Sequence, residues 1–459
     1  MDFGFISLNS FRTAQFEEYT YLLGSCFCTE DKKQIEESSQ SILWFTYRTN
    51  FPAIGGDGPT SDKGWGCMLR CGQMLLAHAL SIVHLGRSWQ WRPGSTDENY
   101  RRLLRMFQDK RTSLFSLQQI AQMGVNEGRK LCEWFGPNTI SQCLKKLVIY
   151  DHWSKLAVHV AMDNVLFASD VRQLAATVCE DDEPDHDKRP KLDPEVEEKT
   201  WRPVLILIPL RLGLNAINRA YLKPIQEFFK LPQCCGILGG RPNHAVFFTG
   251  FSGEELFYLD PHTAQQTVDL EGAQKAAGSS DVEIGTEVTD EKDVILVEEA
   301  DGHFQDAQEG EPKVEAFDEF CSEELEEKPV AVERPEEGEK TGETLESITE
   351  DEPPPNDFND ASFHCPDLQY MHFNSLDPSL ALGFICACEE DFNDLLVVLK
   401  EKMLPASKPA IFELMDERPN YWPPYVPYTR AAPPSTCSDK DYEDFAQFDS
   451  GDEFEILEP

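Results

Sequence analysis

Gly64-Trp65-Gly66-Cys67-Met68-Leu69-Arg70-Cys71-Gly72 is a glycine-punctuated loop that runs directly into an apolar-periodic segment. From Met68 the apolar positions Leu75, Leu76, Ala79, Leu80 and Val83 fall close to one face of a helix, and Gly86 supplies a stop. Cys67 therefore stands where a loop becomes a helix. There, orphan amide groups and the positive end of the helix dipole favour thiolate over thiol. The flanking glycines let a substrate backbone approach closely. A small buried cysteine at a helix start is the competing reading.

A nucleophilic thiol needs a base, and the chain has 10 histidines. His186 and His303 lie in charged segments, while His78, His84, His152 and His159 fall in or near apolar-periodic stretches suited to core or helix-surface roles. His262 stands apart in Leu259-Asp260-Pro261-His262, at the end of an expected strand. Residues two apart on a strand share a face, so Asp260 can lie beside His262, fix its tautomer and stabilise its charged form. Pro261 removes an amide donor and suggests a strand end. A solvated Asp-Pro turn with an incidental histidine is the alternative. With Cys67 in the same chain, the pair reads as a Cys–His–Asp thiol-protease set. The backbone amide of Cys67 is one candidate oxyanion donor, and a Tyr or Gln side chain could be a second.

Outward from these motifs, residues 31–270 alternate apolar-periodic segments with short Gly/Pro breaks. Pro203–Pro209 reads as a fully buried strand, Ile217, Tyr221, Ile225 and Phe228 recur at helical spacing around Pro224, and Ala245–Phe251 with Glu255–Leu259 reads as a hairpin. Helices ahead of strands imply an α+β fold rather than a doubly wound sheet. Residues 1–30 read as a flexible arm, 179–199 as a surface loop, and 419–459 as a disordered tail. Folded composition resumes at 361–418, so the catalytic domain is expected to be discontinuous.

The interruption is chemically distinct. The 459 residues carry 41 Lys plus Arg against 82 Asp plus Glu, a net charge of −41. Residues 271–360 hold 31 acids and 6 bases, which is −25 of that total, and read as a disordered acidic insertion. The acid excess excludes a nucleic-acid backbone as the main partner. No basic region followed by an apolar stretch opens the chain, and no apolar run reaches the roughly 18–20 residues of a membrane span. The 14 cysteines are scattered without a Cys-x-x-Cys pair, which argues against structural zinc or a disulfide framework and for reduced thiols in the cytosol.

Taken together, Phe45-Thr46-Tyr47-Arg48, Asn50-Phe51-Pro52, Gly64–Arg70, Trp134-Phe135-Gly136-Pro137-Asn138, Gly239-Gly240-Arg241-Pro242-Asn243 and Asp260-Pro261-His262 resemble the autophagins. These are the autophagy-related cysteine proteases that process ubiquitin-like autophagy modifiers. The resemblance implies a papain-like α+β fold with a small auxiliary subdomain. It implies a cysteine-type endopeptidase that exposes a C-terminal glycine on modifier precursors and removes modifiers from phosphatidylethanolamine. Position by position it makes Cys67 the nucleophile, His262 the base, Asp260 its orienting carboxylate and Tyr47 an oxyanion donor. Trp134 matches the tryptophan over the entrance, and Gly239, Gly240, Arg241 and Pro242 match the loop that lifts for substrate. Phe135 stands where tyrosine is common, and the acidic segment is longer than the family pattern expects.

Phe454-Glu455-Ile456-Leu457, preceded by Asp452 and Glu453, looks like the family's modifier-interacting motif, with Phe454 and Leu457 entering two pockets as an added strand. Phe5-Ile6-Ser7-Leu8 is a weaker counterpart. Cys71, four residues after Cys67 on one helical face, is a candidate redox position, although a disulfide along a helix is geometrically poor. No metal or organic cofactor is implied. The expected state is a cytoplasmic monomer that touches membranes only transiently, through lipidated substrate. The reading from another class is a catalytically weak modifier-binding adaptor using the tail motif; acyl transfer by a transglutaminase-like set is disfavoured by the motif series.

Overall fold

Two helical layers sandwich one large mixed sheet, and the alternation of apolar side chains in the central strands explains why. The computed structural model describes residues 16–56, 58–176, 201–270 and 358–428. In chain order these form β1 (Tyr19–Leu22), β2 (Ser25–Cys28), α1 (Lys32–Gln40), β3 (Tyr47–Thr49), α2 (Cys67–Leu85), α3 (Glu98–Arg105), α4 (Leu117–Asn126), α5 (Pro137–Leu147), β4 (Ala157–Val160), β5 (Val165–Phe167) and α6 (Ala168–Ala175). There follow β6 (Val204–Arg211), α7 (Leu222–Phe229), β7 (Cys234–Gly239), β8 (Val246–Ser252), β9 (Glu255–Leu259), β10 (Ala264–Gln266), β11 (Gln369–His372), β12 (Ser379–Cys386), α8 (Glu389–Val398) and β13 (Glu413–Met415).

The main sheet runs β11-β9-β8-β7-β12-β6-β4, with the β1–β2 hairpin added to β8. Its ladders are antiparallel except β4 with β6. In β6, Leu205 and Leu207 pack into the layer of α2 to α5, while Val204, Ile206 and Ile208 pack into the layer of α6, α7 and α8. A strand covered on both faces needs the unbroken apolar run seen in the sequence. Pro209 lies within β6 opposite Ala381. Leu207 accepts from Ala161 at the edge facing β4, so two residues on, where β4 has ended, the missing proline donor is not needed. Pro224 likewise falls in the first turn of α7, where its lost amide has no partner to lose. The mixed helices and antiparallel-rich sheet make this an α+β fold, consistent with a papain-like layout.

Helix α2 lies under the sheet, predominantly apolar and buried at most positions from Cys67 to Ile82, as a core helix should be. By length and composition it would satisfy a membrane span, contrary to the residue-by-residue expectation, but 72% of that window is buried inside the protein, the place of a core helix. Gly86 ends it at φ 86°, returning its amide to Ser81 and Ile82.

Three expected boundaries need correction. The arm 1–30 is not loose throughout, because Tyr19–Cys28 is a hairpin paired to β8, with Tyr21 opposite Phe251. The body resumes before residue 361: Phe358 and Asp360 are buried, and Asp360 accepts from Tyr100 Oη at 2.7 Å and Trp91 Nε1 at 3.0 Å. The tail begins later than 419. Trp422 packs edge-on to Phe167 at 5.2 Å, Tyr425 reaches His159, and Arg418 pairs with buried Asp170. The loop 179–199, Phe5–Leu8, Phe454, Leu457 and most of the acidic segment lie outside the described residues.

One buried side chain joins the two sides of that acidic segment. Arg48, 1% exposed, donates to Gln266 O at 3.0 Å and to Ser362 Oγ and O at 3.1 Å, with its guanidinium over the Phe363 ring. Sheet packing is equally tight at Gly250, where an added Cβ would stand 2.0 Å from Tyr21 O. Gly250→Ala is therefore expected to push β1 off β8 and lower stability by roughly 1–3 kcal/mol. A urea midpoint equal to wild type would show that this close approach carries no weight.

Candidate active site

The first residue of α2 is Cys67, with Gly66 as N-cap at φ −82°. Its thiol is fully buried. Burial pushes the thiol up, but polar contacts from His262 and the Ala245 amide, the His262 charge and the Tyr47 hydroxyl outweigh it, leaving the pKa below the ordinary thiol value. Cys71 lies one turn deeper and is also fully buried; there burial wins, with the Cys67 and Asp260 charges adding to it, and its thiol is pushed well above the ordinary value. That environment favours the neutral form of the Cys71 thiol. The described cysteines form no disulfide.

His262 stands two residues past Asp260, just beyond β9. Asp260 Oδ1 accepts both the His262 amide, at 2.9 Å, and Nδ1, at 2.5 Å. The backbone around the pair is pinned from outside: Trp44 Nε1 donates to Asp260 O and the Tyr47 amide to Pro261 O, each at 2.8 Å. β10 then pairs in parallel with β3, which carries Tyr47. Burial alone would lower the imidazole pKa, but the hydrogen bonds and charges of Asp260 and Cys67 raise it to about 9. A depressed thiol beside an elevated imidazole is the condition for a thiolate–imidazolium pair at neutral pH.

Tyr47 is 3% exposed and meets the His262 ring edge-on at 5.5 Å. Burial, then the Cys67 charge, pushes its phenol up, so it stays a proton donor. The buried Tyr47 hydroxyl and the His262 imidazole both make polar contact with Cys67.

Gly239 ends β7, and Gly240 follows at φ 136°, where a Cβ would stand 2.4 Å from Ala245 Cα. The loop Arg241, Pro242, Asn243 and His244 is exposed, closed by His244 N to Arg241 O at 2.9 Å, and returns at buried Ala245, whose amide faces Cys67. Trp134 lies in the irregular segment before α5, half-buried, with its indole Nε1 buried. Its neighbour Phe135 is core, filling the space beside Gly124.

Sequence reasoning missed three contributors. The Ala245 amide carries no side-chain signal at all. Trp44 gives none beyond its place in an aromatic run. Asp62 had one, because Arg70 is a charge in an otherwise apolar helix and demands a buried carboxylate. Arg70 Nε donates to Asp62 at 2.7 Å, and its Nη1 to Asp109 at 2.8 Å. Among the described residues, no group of three or more His, Cys, Asp or Glu could hold a metal ion.

A buried thiol at a helix start, against an imidazole oriented by a carboxylate, has the layout of a thiol hydrolase. The sequence model of the peptidase C54 catalytic domain matches residues 32–397. Cysteine protease ATG4A of Xenopus laevis is 36% identical over 450 residues, covering 96% of this chain and 93% of its own. Cysteine protease ATG4A of Homo sapiens is 36% identical over 457 residues, with 96% and 93% covered. Cysteine protease ATG4B of Gallus gallus is 38% identical over 460 residues, with 96% and 94% covered. The chain belongs to the peptidase C54 family, the autophagins that its motif series resembles, and is a cysteine peptidase.

Proposed function

We propose that this protein is a cytoplasmic, monomeric endopeptidase that trims ubiquitin-like autophagy modifier precursors to a C-terminal glycine. It also releases the same modifiers from phosphatidylethanolamine, meeting the membrane only through that substrate. The observation that supports the reading is that His262, the Tyr47 hydroxyl and the Ala245 amide all meet the fully buried Cys67 thiol. The catalytic body is papain-like, with a small auxiliary subdomain.

In this reading Cys67 Sγ attacks the glycyl carbonyl and the oxygen takes the electron pair, received by the Cys67 amide and the Tyr47 hydroxyl. The imidazolium of His262, held by Asp260, gives its proton to the leaving amine, and a thioester remains. Water then loses a proton to His262 Nε2 and attacks the thioester, and the modifier leaves with a glycine carboxylate as the thiol is restored. A glycine needs no side-chain room, so a channel narrowed by Trp134 can admit the tail while the Gly239–Pro242 loop lifts above it. Phe454 and Leu457 of the tail would hold the modifier body as an added strand.

The test is incubation with a modifier precursor carrying a C-terminal reporter, and separately with lipidated modifier on vesicles. Release in both, with a product ending in glycine by mass spectrometry, is expected. Binding that depends on Phe454 and Leu457 without any release would replace the protease by an adaptor.

A further inference from the structure

Asp62 is fully buried, and both its carboxylate oxygens are engaged. Oδ1 accepts the Arg48 amide at 2.6 Å, and Oδ2 accepts Arg70 Nε at 2.7 Å. Its own carbonyl accepts the amides of Gly66, at 2.9 Å, and Trp65, at 3.2 Å. The groups gathered here come from separate parts of the site. Arg48 follows Tyr47 in β3, Trp65 and Gly66 precede Cys67, and Arg70 stands one turn into α2. The carboxylate fills the space under the nucleophile loop, since a Cβ on Gly66 would meet Asp62 Oδ2 at 2.4 Å.

The Tyr47 hydroxyl makes its polar contacts at its tip, with Cys67 and the Gly64 backbone. Its position is inherited from the β3 backbone, held at residue 47 by Pro261 O and at residue 48 by Asp62. We propose that Asp62 is a positioning residue for peptide hydrolysis: one carboxylate fixes the separation of the Tyr47 hydroxyl from the Cys67 amide, the two donors that receive the oxyanion. The inference rests on the reading of Cys67 as nucleophile given above. Arg70 retains Asp109 and Gln73 as partners without Asp62, whereas the Arg48 amide would lose the carboxylate that ties β3 to α2 through Arg70. Donor placement matters because a misplacement of about 1 Å costs on the order of 10²-fold in rate.

A double-substitution cycle on the full chain tests this, read as kcat and KM for release of the precursor's C-terminal reporter. Asp62→Asn keeps the shape but sets an amide donor against either the Arg48 amide or Arg70 Nε. Alone it is expected to lower kcat about 10–100-fold with KM within about threefold. In the Tyr47→Phe background, where the hydroxyl is already gone, the same substitution is expected to cost less than about threefold. A purely structural role would cost equally in both backgrounds. Equal losses, or no loss in either, overturn the proposal. Thermal melts show whether each variant folds. If Asp62→Asn does not, Gly66→Ala, which presses on the same carboxylate without removing a charge, goes through the same cycle and is judged by the same criterion. Release by wild type with equal losses overturns the positioning role alone; no release by wild type overturns the protease reading and this inference with it.

Discussion

Cys67→Ala is expected to lower cleavage of a modifier precursor by about 10⁴-fold or more, with binding of the precursor retained. The size follows from the place of the sulfur in the site. Tyr47 Oη, the Ala245 amide and His262 all bear on that one atom, and without it none of them has a reacting group to serve. The neighbouring thiol cannot substitute, because Cys71 is enclosed and its pKa is pushed well above the ordinary value by burial. His262→Ala should cost nearly as much, and combining the two should add little, because residues that act as a unit are not additive. Single-turnover assays with folding checked by circular dichroism decide this. Residual cleavage by Cys67→Ala within about tenfold of wild type would remove Cys67 as the nucleophile.

Asp260→Asn is expected to lower kcat by about 10²–10⁴-fold. The turn itself should survive, since Trp44 Nε1 and the Tyr47 amide hold it through the carbonyls of Asp260 and Pro261. What is lost is the negative charge on the oxygen that accepts both the His262 amide and Nδ1, and the new amide NH2 can hold the imidazole in the wrong tautomer. The pH profile gives the signature. In wild type, activity rises as the Cys67 thiol ionises and falls as His262 loses its proton near pH 9. The carboxylate raises the imidazole pKa, so its removal must move the alkaline limb to lower pH. An alkaline limb unmoved in Asp260→Asn would show that the imidazolium is stabilised elsewhere.

Helix α2, strand β6 and the β8–β9 hairpin were legible because their burial is written as period: one continuous helix from Cys67, an unbroken apolar run, and two β-rich stretches flanking Gly253. Cys67, Asp260 and His262 were legible as chemistry, since few residue types can serve as nucleophile and base and their local context is particular. Tyr47, Trp134 and the Gly239–Pro242 loop came only through family resemblance, as nothing in a lone tyrosine or tryptophan separates site from core. The β1–β2 hairpin was missed because its affinity for the sheet lies in Phe251 and Gly250, more than 220 positions away. Pro-rich 419–428 resembled a tail since its anchor is tertiary, the stacking of Arg418 over Phe167 at 4.5 Å. Asp62 was passed over because a carboxylate in a polar loop has no pattern until Arg70 is placed beside it.

Arg48 gives the chain a property that concerns its history more than its chemistry. A single guanidinium, rooted in β3 next to Tyr47, grips residue 266 on one side of the acidic stretch and residue 362 on the other. Both hems are thus stitched to the strand that carries Tyr47, and the stitching uses nothing from within. Closing a longer loop adds only about 0.6 kcal/mol per doubling of its length. Sequence could therefore be inserted, trimmed or replaced between those hems over evolutionary time while the distance from Tyr47 to Cys67 stayed the same, which makes this seam a natural place for new regulation to be grafted onto an unchanged hydrolase.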